Sequence, residues 1–215
     1  MIKKFENFET REYLDAGIAV AVEGEAARAA LSMAEEIAKR APTVFRIDAK
    51  HLPHITLFQG RFPARSQEAL NEYFQKITRE QGVPLRIEME DSLFARPNGN
   101  IFWNVKKTPE IIGLHKEMND ILRPLTDGML MRQFSDLLKG ASLSEEDRHQ
   151  IEKYGALLAG DKYMPHITLC RLERAKDVDS IKNIKPPSVI FSAEKFIGGE
   201  LGYYGTIDKV IFEEK

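Results

Sequence analysis

The same five residues, Pro-His-Ile-Thr-Leu, occur twice in this chain, as Pro53–Leu57 and as Pro165–Leu169. A chance repeat of this length is expected in only about a few per cent of chains of average composition, and this one includes histidine, an uncommon residue. A repeated segment that carries its surroundings with it constrains the fold to two related halves, so the neighbourhood of each copy decides what the repeat means.

Both copies have the same surroundings. Residues 17–23 form an apolar run suited to a buried strand, and Glu25 to Arg40 continues with alanines and charges at helical spacing, ended by Pro42. After a polar connection, His51 to Gly60 reads as the first motif strand, and Ser66 to Gln81 as a second helix closed by Gly82. The second half repeats this order. Strands are expected at 85–95 and 101–106 around the hairpin signal Asn98-Gly99, then a helix at 109–122, and then the motif strand at Met164–Arg171. Only a segment at about 129–160 departs from the repeat. There Ser142-Leu-Ser-Glu145 has the form of a capping box and predicts two short inserted helices. A helix near 174–183, strands at 188–197 and 206–213, and a glycine-rich bend at 198–205 complete the chain. With no Gly/Ser linker between the halves, the expectation is one domain, 1–215, of two interleaved lobes sharing a cleft.

Strand geometry says what each motif presents. Side chains alternate, so His54, Thr56 and Phe58 are expected on one face, and Ile55 and Leu57 on the other. In the second copy His166, Thr168 and Cys170 oppose Ile167 and Leu169. If the halves pack about a pseudo-two-fold axis, two imidazoles and two hydroxyls converge. An imidazole has an ordinary pKa near 6.5, and two of them can hold opposite protonation states, one as base and one as acid. Threonine hydroxyls one rung along can donate to the non-bridging oxygens of a phosphate. Such a site needs no metal and no cofactor.

Composition limits the partner. The chain has 31 basic and 33 acidic side chains and a net charge of −2, so no global positive field exists to hold long DNA or RNA. A nucleic-acid partner is expected to be small, such as a nucleotide or short RNA. The lone cysteine, the lack of a leader-like start and the absence of about eighteen consecutive apolar residues favour a cytoplasmic protein that does not enter a membrane.

Other polar residues are weaker candidates. His51 and His54 form an H-x-x-H pair, but three-residue spacing on a strand aims them to opposite faces, and no Cys/His set accompanies them. His115 and His149 fall in helices with charged neighbours and are expected at the surface. Cys170 reads as a small buried thiol lining the cleft. Phe58 is suited to stacking on a base or sugar, or to packing at the cleft floor. Tyr203 and Tyr204 lie in the glycine-rich bend, with Tyr204 the candidate substrate contact. Arg61, Lys162 and Arg171 are near the motifs, but Arg171 has the opposite strand parity to His166 and is left out.

The pairs His54-Ile-Thr56 and His166-Ile-Thr168 resemble the paired H-x-[ST] motifs of the two-histidine (2H) phosphoesterase superfamily, which includes the bacterial RNA 2′,3′-cyclic phosphodiesterases known as 2′-5′ RNA ligases. The resemblance extends over most of the chain, including the Phe102-Trp103 strand between the motifs. It implies a bilobal α+β fold with two antiparallel sheets flanking a central cleft, and metal-independent cleavage of 2′,3′-cyclic or 2′-5′ phosphodiesters. His54 and His166 become the general acid and base, and Thr56 and Thr168 the phosphate ligands. Two other functions compete with it. One is a protein of the same fold that binds nucleotides or RNA ends without turnover, and the other is a metallohydrolase using His51, His54 and His166.

Overall fold

The computed structural model describes residues 12–48, 50–80, 84–140, 143–202 and 205–213. The first half runs β1 (Tyr13–Ala21), α1 (Gly24–Arg40), β2 (Thr43–Arg46), β3 (His54–Pro63) and α2 (Gln67–Glu80). Next come β4 (Leu85–Ala95), β5 (Asn100–Val105), α3 (Pro109–Leu125), α4 (Arg132–Lys139), α5 (Glu145–Tyr154) and β6 (His166–Leu172). The chain ends with β7 (Ile190–Ala193), β8 (Phe196–Leu201) and β9 (Ile207–Glu213). Two sheets result, ordered β3-β1-β8-β9 and β2-β6-β5-β4-β7, with antiparallel pairing throughout. The α+β class with two antiparallel sheets is therefore the observed one.

The repeat is visible in the pairing. Motif strand β3 lies antiparallel to β1, from which α1 separates it in sequence, and motif strand β6 lies antiparallel to β5 across α3 and the inserted helices. Ile55, Leu57, Ile167 and Leu169 are all fully buried in one continuous core that also holds Trp103, as the strand pattern requires. Helix α1 adds Ala26, Ala30, Met33, Ala34 and Ile37 to that core, a stripe at the 3.6-residue period.

Both motif strands also carry a β-bulge at the same place. Ile18 pairs with Phe58 and Ala19 with Thr56, which leaves Leu57 as the extra residue; Ile101 pairs with Cys170 and Phe102 with Thr168, which leaves Leu169. An extra residue advances the strand by one and reverses its facing beyond that point. Burial follows the reversal: Phe58 and Cys170 turn inward, while Gln59 and Arg171 are only partly buried.

Other departures from the sequence reading have local causes. The predicted strand at 188–197 is two strands, since the chain leaves the larger sheet after Ala193 and joins the smaller one at Phe196. The predicted helix near 174–183 is a 3-10 segment over Ala175–Ser180, where Ser180 Oγ donates to the carbonyl of Asp177. Thr43–Arg46, read as a connection, pairs with β6 as a short edge strand. The two inserted helices are present, but α5 is capped by Ser144, which accepts from the amide of Asp147 at 3.0 Å; Ser142 lies outside the described residues. Gly155 ends α5 at φ 78°, and a Cβ there would meet Arg123 Nη1 at 2.8 Å. No helix among the described residues is long and apolar enough to cross a membrane.

Candidate active site

Each motif histidine is held in the same way. His54 Nδ1 lies 2.8 Å from the carbonyl of Leu52, and His166 Nδ1 lies 2.7 Å from the carbonyl of Met164, two residues upstream in each case. A carbonyl only accepts, so Nδ1 carries the proton in both rings and Nε2 is left for chemistry. The proline before each histidine suits this turn, because it fixes φ and holds the preceding residue extended. His166 also stacks on Phe102 of the neighbouring strand, ring centroids 3.8 Å apart.

A cleft of about 440 Å³ lies over His166 and the two motif threonines, with His54 meeting it through Gly205. Thr56, His166 and Thr168 line it, and Gly205, whose carbonyl oxygen is 3.1 Å from His54 Nε2, lies at its edge. His54 and His166 are close enough to sense each other's charge. Burial lowers both imidazoles below their ordinary value, and His166 falls to about 4 with further help from His54 and Arg96. Their carbonyl contacts oppose the shift without cancelling it.

The bulges rearrange the rest of the candidate set. Arg171, set aside on strand parity, lines the cleft, and so does Gln59 at the matching place in the other motif. Of the two roles open to Phe58, stacking on a base or packing at the cleft floor, the structure has it only 2% exposed, packed against Phe62 at the floor of the cleft. Cys170 was expected to line the cleft and is instead fully buried on the core side, where burial pushes its thiol up to about 12. Tyr203 and Tyr204 lie outside the described residues. Arg61 and Lys162 are engaged elsewhere, Arg61 in a two-pronged pair with Asp15 and Lys162 between Glu146 and Asp147. His51 binds Asp48 and stands edge-on to Phe45. Among the described residues, no group of three His, Cys, Asp or Glu side chains is placed to hold a metal ion.

His149 is exposed as expected, but His115 is not: it is 4% exposed and braces the site. Its Nε2 accepts from the amide of Gly160 at 2.8 Å, so Nδ1 donates to the carbonyl of the bulge residue Leu57 at 2.6 Å. Tyr163 stacks on this ring at 3.6 Å and donates its hydroxyl to the carbonyl of Thr56 at 2.9 Å. Helix α3 and the end of the inserted segment are thus tied to the backbone that presents Thr56.

No family model and no curated protein matches the sequence. Solved structures do match the fold. E. coli LigT complexed with 3′-AMP superposes with a TM-score of 0.55 over 89% of this chain and 90% of its own, at 15% identity. LigT complexed with phosphate gives 0.52 over 95% and 98%, also at 15% identity. TT0787 of Thermus thermophilus gives 0.55 over 93% and 96%, at 17% identity. The chain has the two-histidine phosphoesterase fold.

Within that 2H fold, the cleft residues that sequence reasoning missed include Gln59, Arg96, Arg171 and the stacking partner Phe102. Arg96 opens the tight turn between β4 and β5, where its amide donates to Asn100 and its carbonyl accepts from Gly99. Gly99 has φ 88°, and a Cβ there would meet the Leu172 carbonyl oxygen at 2.9 Å, which explains the Asn-Gly signal. That signal marked a hairpin; nothing in it marked the arginine beside it as part of a site.

Proposed function

We propose that this protein is a metal-independent phosphoesterase that opens a 2′,3′-cyclic or cleaves a 2′-5′ phosphodiester of a nucleotide or short RNA. The observation that carries the reading is the matched anchoring of His54 and His166, with Nδ1 fixed on a carbonyl in each and the two threonines beside them at one cleft. The likeness of the fold to LigT structures holding phosphate and 3′-AMP supports it.

The geometry also favours one assignment of the roles. Both ring nitrogens of His54 face carbonyl oxygens, of Leu52 and Gly205, and only the imidazolium can donate to both. These contacts support His54 as the acid. His166 keeps a lone pair on Nε2 and lies near the positive Arg96, which favours its neutral form, so it is the base. Water attacks phosphorus as His166 Nε2 takes its proton, the bond from phosphorus to the ribose oxygen breaks, and His54 Nε2 gives its proton to that oxygen. The departing oxygen takes the place that the Gly205 carbonyl holds in the free protein. Thr56 and Thr168 donate to the non-bridging oxygens, and Arg171 offsets their charge.

Product analysis on a panel of 2′,3′-cyclic, 3′,5′-cyclic and 2′-5′-linked substrates tests the reading. Turnover of the first or third class that survives exhaustive chelation is expected. Tight binding with no turnover of any member would instead identify a binding protein of this fold.

A further inference from the structure

We infer that the inserted segment at 129–160 builds a subsite for a nucleobase inside the catalytic cleft. The inference rests on the phosphoesterase reading for the placement of the phosphate. The wall facing the motif strands comes from the insertion: Phe134 and Leu137 from α4, Tyr154 at the end of α5, and Leu157 in the loop beyond. Gln133 and Leu137 stand four residues apart on one side of α4 and both line the cleft. Leu137 is 39% exposed, lines the cleft, and is not among the buried residues that form the insertion's own small core.

This wall is prebuilt. Met131, Phe134, Ile151, Ala156 and Ala159 give it a core of its own. Arg123 ties its ends by donating to the carbonyls of Met129 and Glu152. The hydrogen bond from Gly160 to His115 then fixes it to the first motif strand.

The chemistry of the compartment selects a flat ring with a polar edge. Its faces are aliphatic and aromatic, while the amides of Asn119 and Gln133 line the same space. A hydrocarbon chain would cover these amides without pairing them, whereas the polar edge of a base can hydrogen-bond with an amide. A volume of about 440 Å³ is at the small end for ligand pockets, which run from about 300 to 1,000 Å³, and fits one nucleotide better than a longer piece of RNA.

Calorimetry on the full chain, with adenosine 2′-monophosphate and inorganic phosphate as probes, tests the subsite without requiring turnover. Adenosine 2′-monophosphate should bind at least about tenfold more tightly than phosphate, and Leu137→Asn, at a partly exposed position, should weaken the nucleotide several-fold while phosphate binding holds. Equal affinity for the two probes, no binding of either, or the same loss for both in the variant would overturn the inference. A protein that binds as expected but turns over no phosphodiester would defeat the phosphoesterase reading and leave the base subsite standing.

Discussion

His54 Nε2 and the carbonyl oxygen of Gly205 are 3.1 Å apart, although 151 positions separate them in the chain. His166 has the same upstream carbonyl at Nδ1 but no such second contact is found for its Nε2 among the described residues. Two halves with one motif thus hold their imidazoles in unlike settings.

This difference has a pH signature. Both imidazoles lie below 6.5, His166 at about 4, so in kcat/KM the bell should sit on the acid side of neutrality. The acid limb reports protonation of His166, and the alkaline limb reports loss of the His54 proton, as macroscopic values of a coupled pair. His166→Ala should lose the acid limb and His54→Ala the alkaline one. In kcat the bound phosphodiester anion stabilises imidazolium and should move the bell upward. A kcat/KM optimum above pH 7 would contradict the assignment.

Loss of either histidine should lower turnover by roughly 10²- to 10⁴-fold with the fold intact by circular dichroism. The double variant should lose far less than the product of the two effects, since the groups act as a unit. Near-normal activity in either single variant would remove that residue from the chemistry.

Thr56→Val and Thr168→Val keep the β-branched shape and delete the donor, so kcat should fall by about 10²-fold with less change in KM. Arg171→Gln removes a charge-assisted contact of about 1.5–3 kcal/mol, which corresponds to roughly a ten- to hundredfold loss in kcat/KM. An Arg171 variant with unchanged kinetics would mean that the bulge brings its side chain to the cleft without a part in the reaction.

Tyr163→Phe removes the donor to the Thr56 carbonyl and should cost about 1 kcal/mol of stability in urea unfolding. His115→Phe leaves both the Leu57 carbonyl and the Gly160 amide without their partner and should cost about 1–3 kcal/mol for each group stranded. If neither variant shifts the unfolding midpoint, the brace is not stabilising.

Stability itself should depend on pH in the acid range. His54, His115 and His166 all have folded values below the ordinary 6.5, because burial disfavours the charged ring. The unfolded chain therefore binds protons first. This stabilisation is fully present above about pH 6.5 and is lost as pH falls toward the folded values. Thermal unfolding from pH 7 to pH 5 should show a declining midpoint, and a flat profile would contradict the shifts.

The parts of this protein legible in its sequence are those written by local period. The repeat, the strand and helix order around it and the inward Ile and Leu pairs all follow from alternation and helical spacing. What alternation cannot register is an insertion of one residue relative to a partner strand, because a bulge is a property of the pair. Cys170 and Arg171 were misplaced for that single reason. His115 was misread differently: its charged neighbours on α3 describe the outer side of a helix, while the partners that bury it, Leu57, Gly160 and Tyr163, come from elsewhere in the chain.

The paired bulges give the cleft a polarity. Two copies of one pentapeptide would by themselves make a groove that reads the same from either end. By bringing the residue two places beyond each bulge into view, they place a neutral amide at Gln59 on one side and a guanidinium at Arg171 on the other. A phosphodiester of the proposed kind lying between them would meet a charged flank and an uncharged one, so its two ester oxygens would no longer be interchangeable, and the direction of bond opening would become a property of the protein.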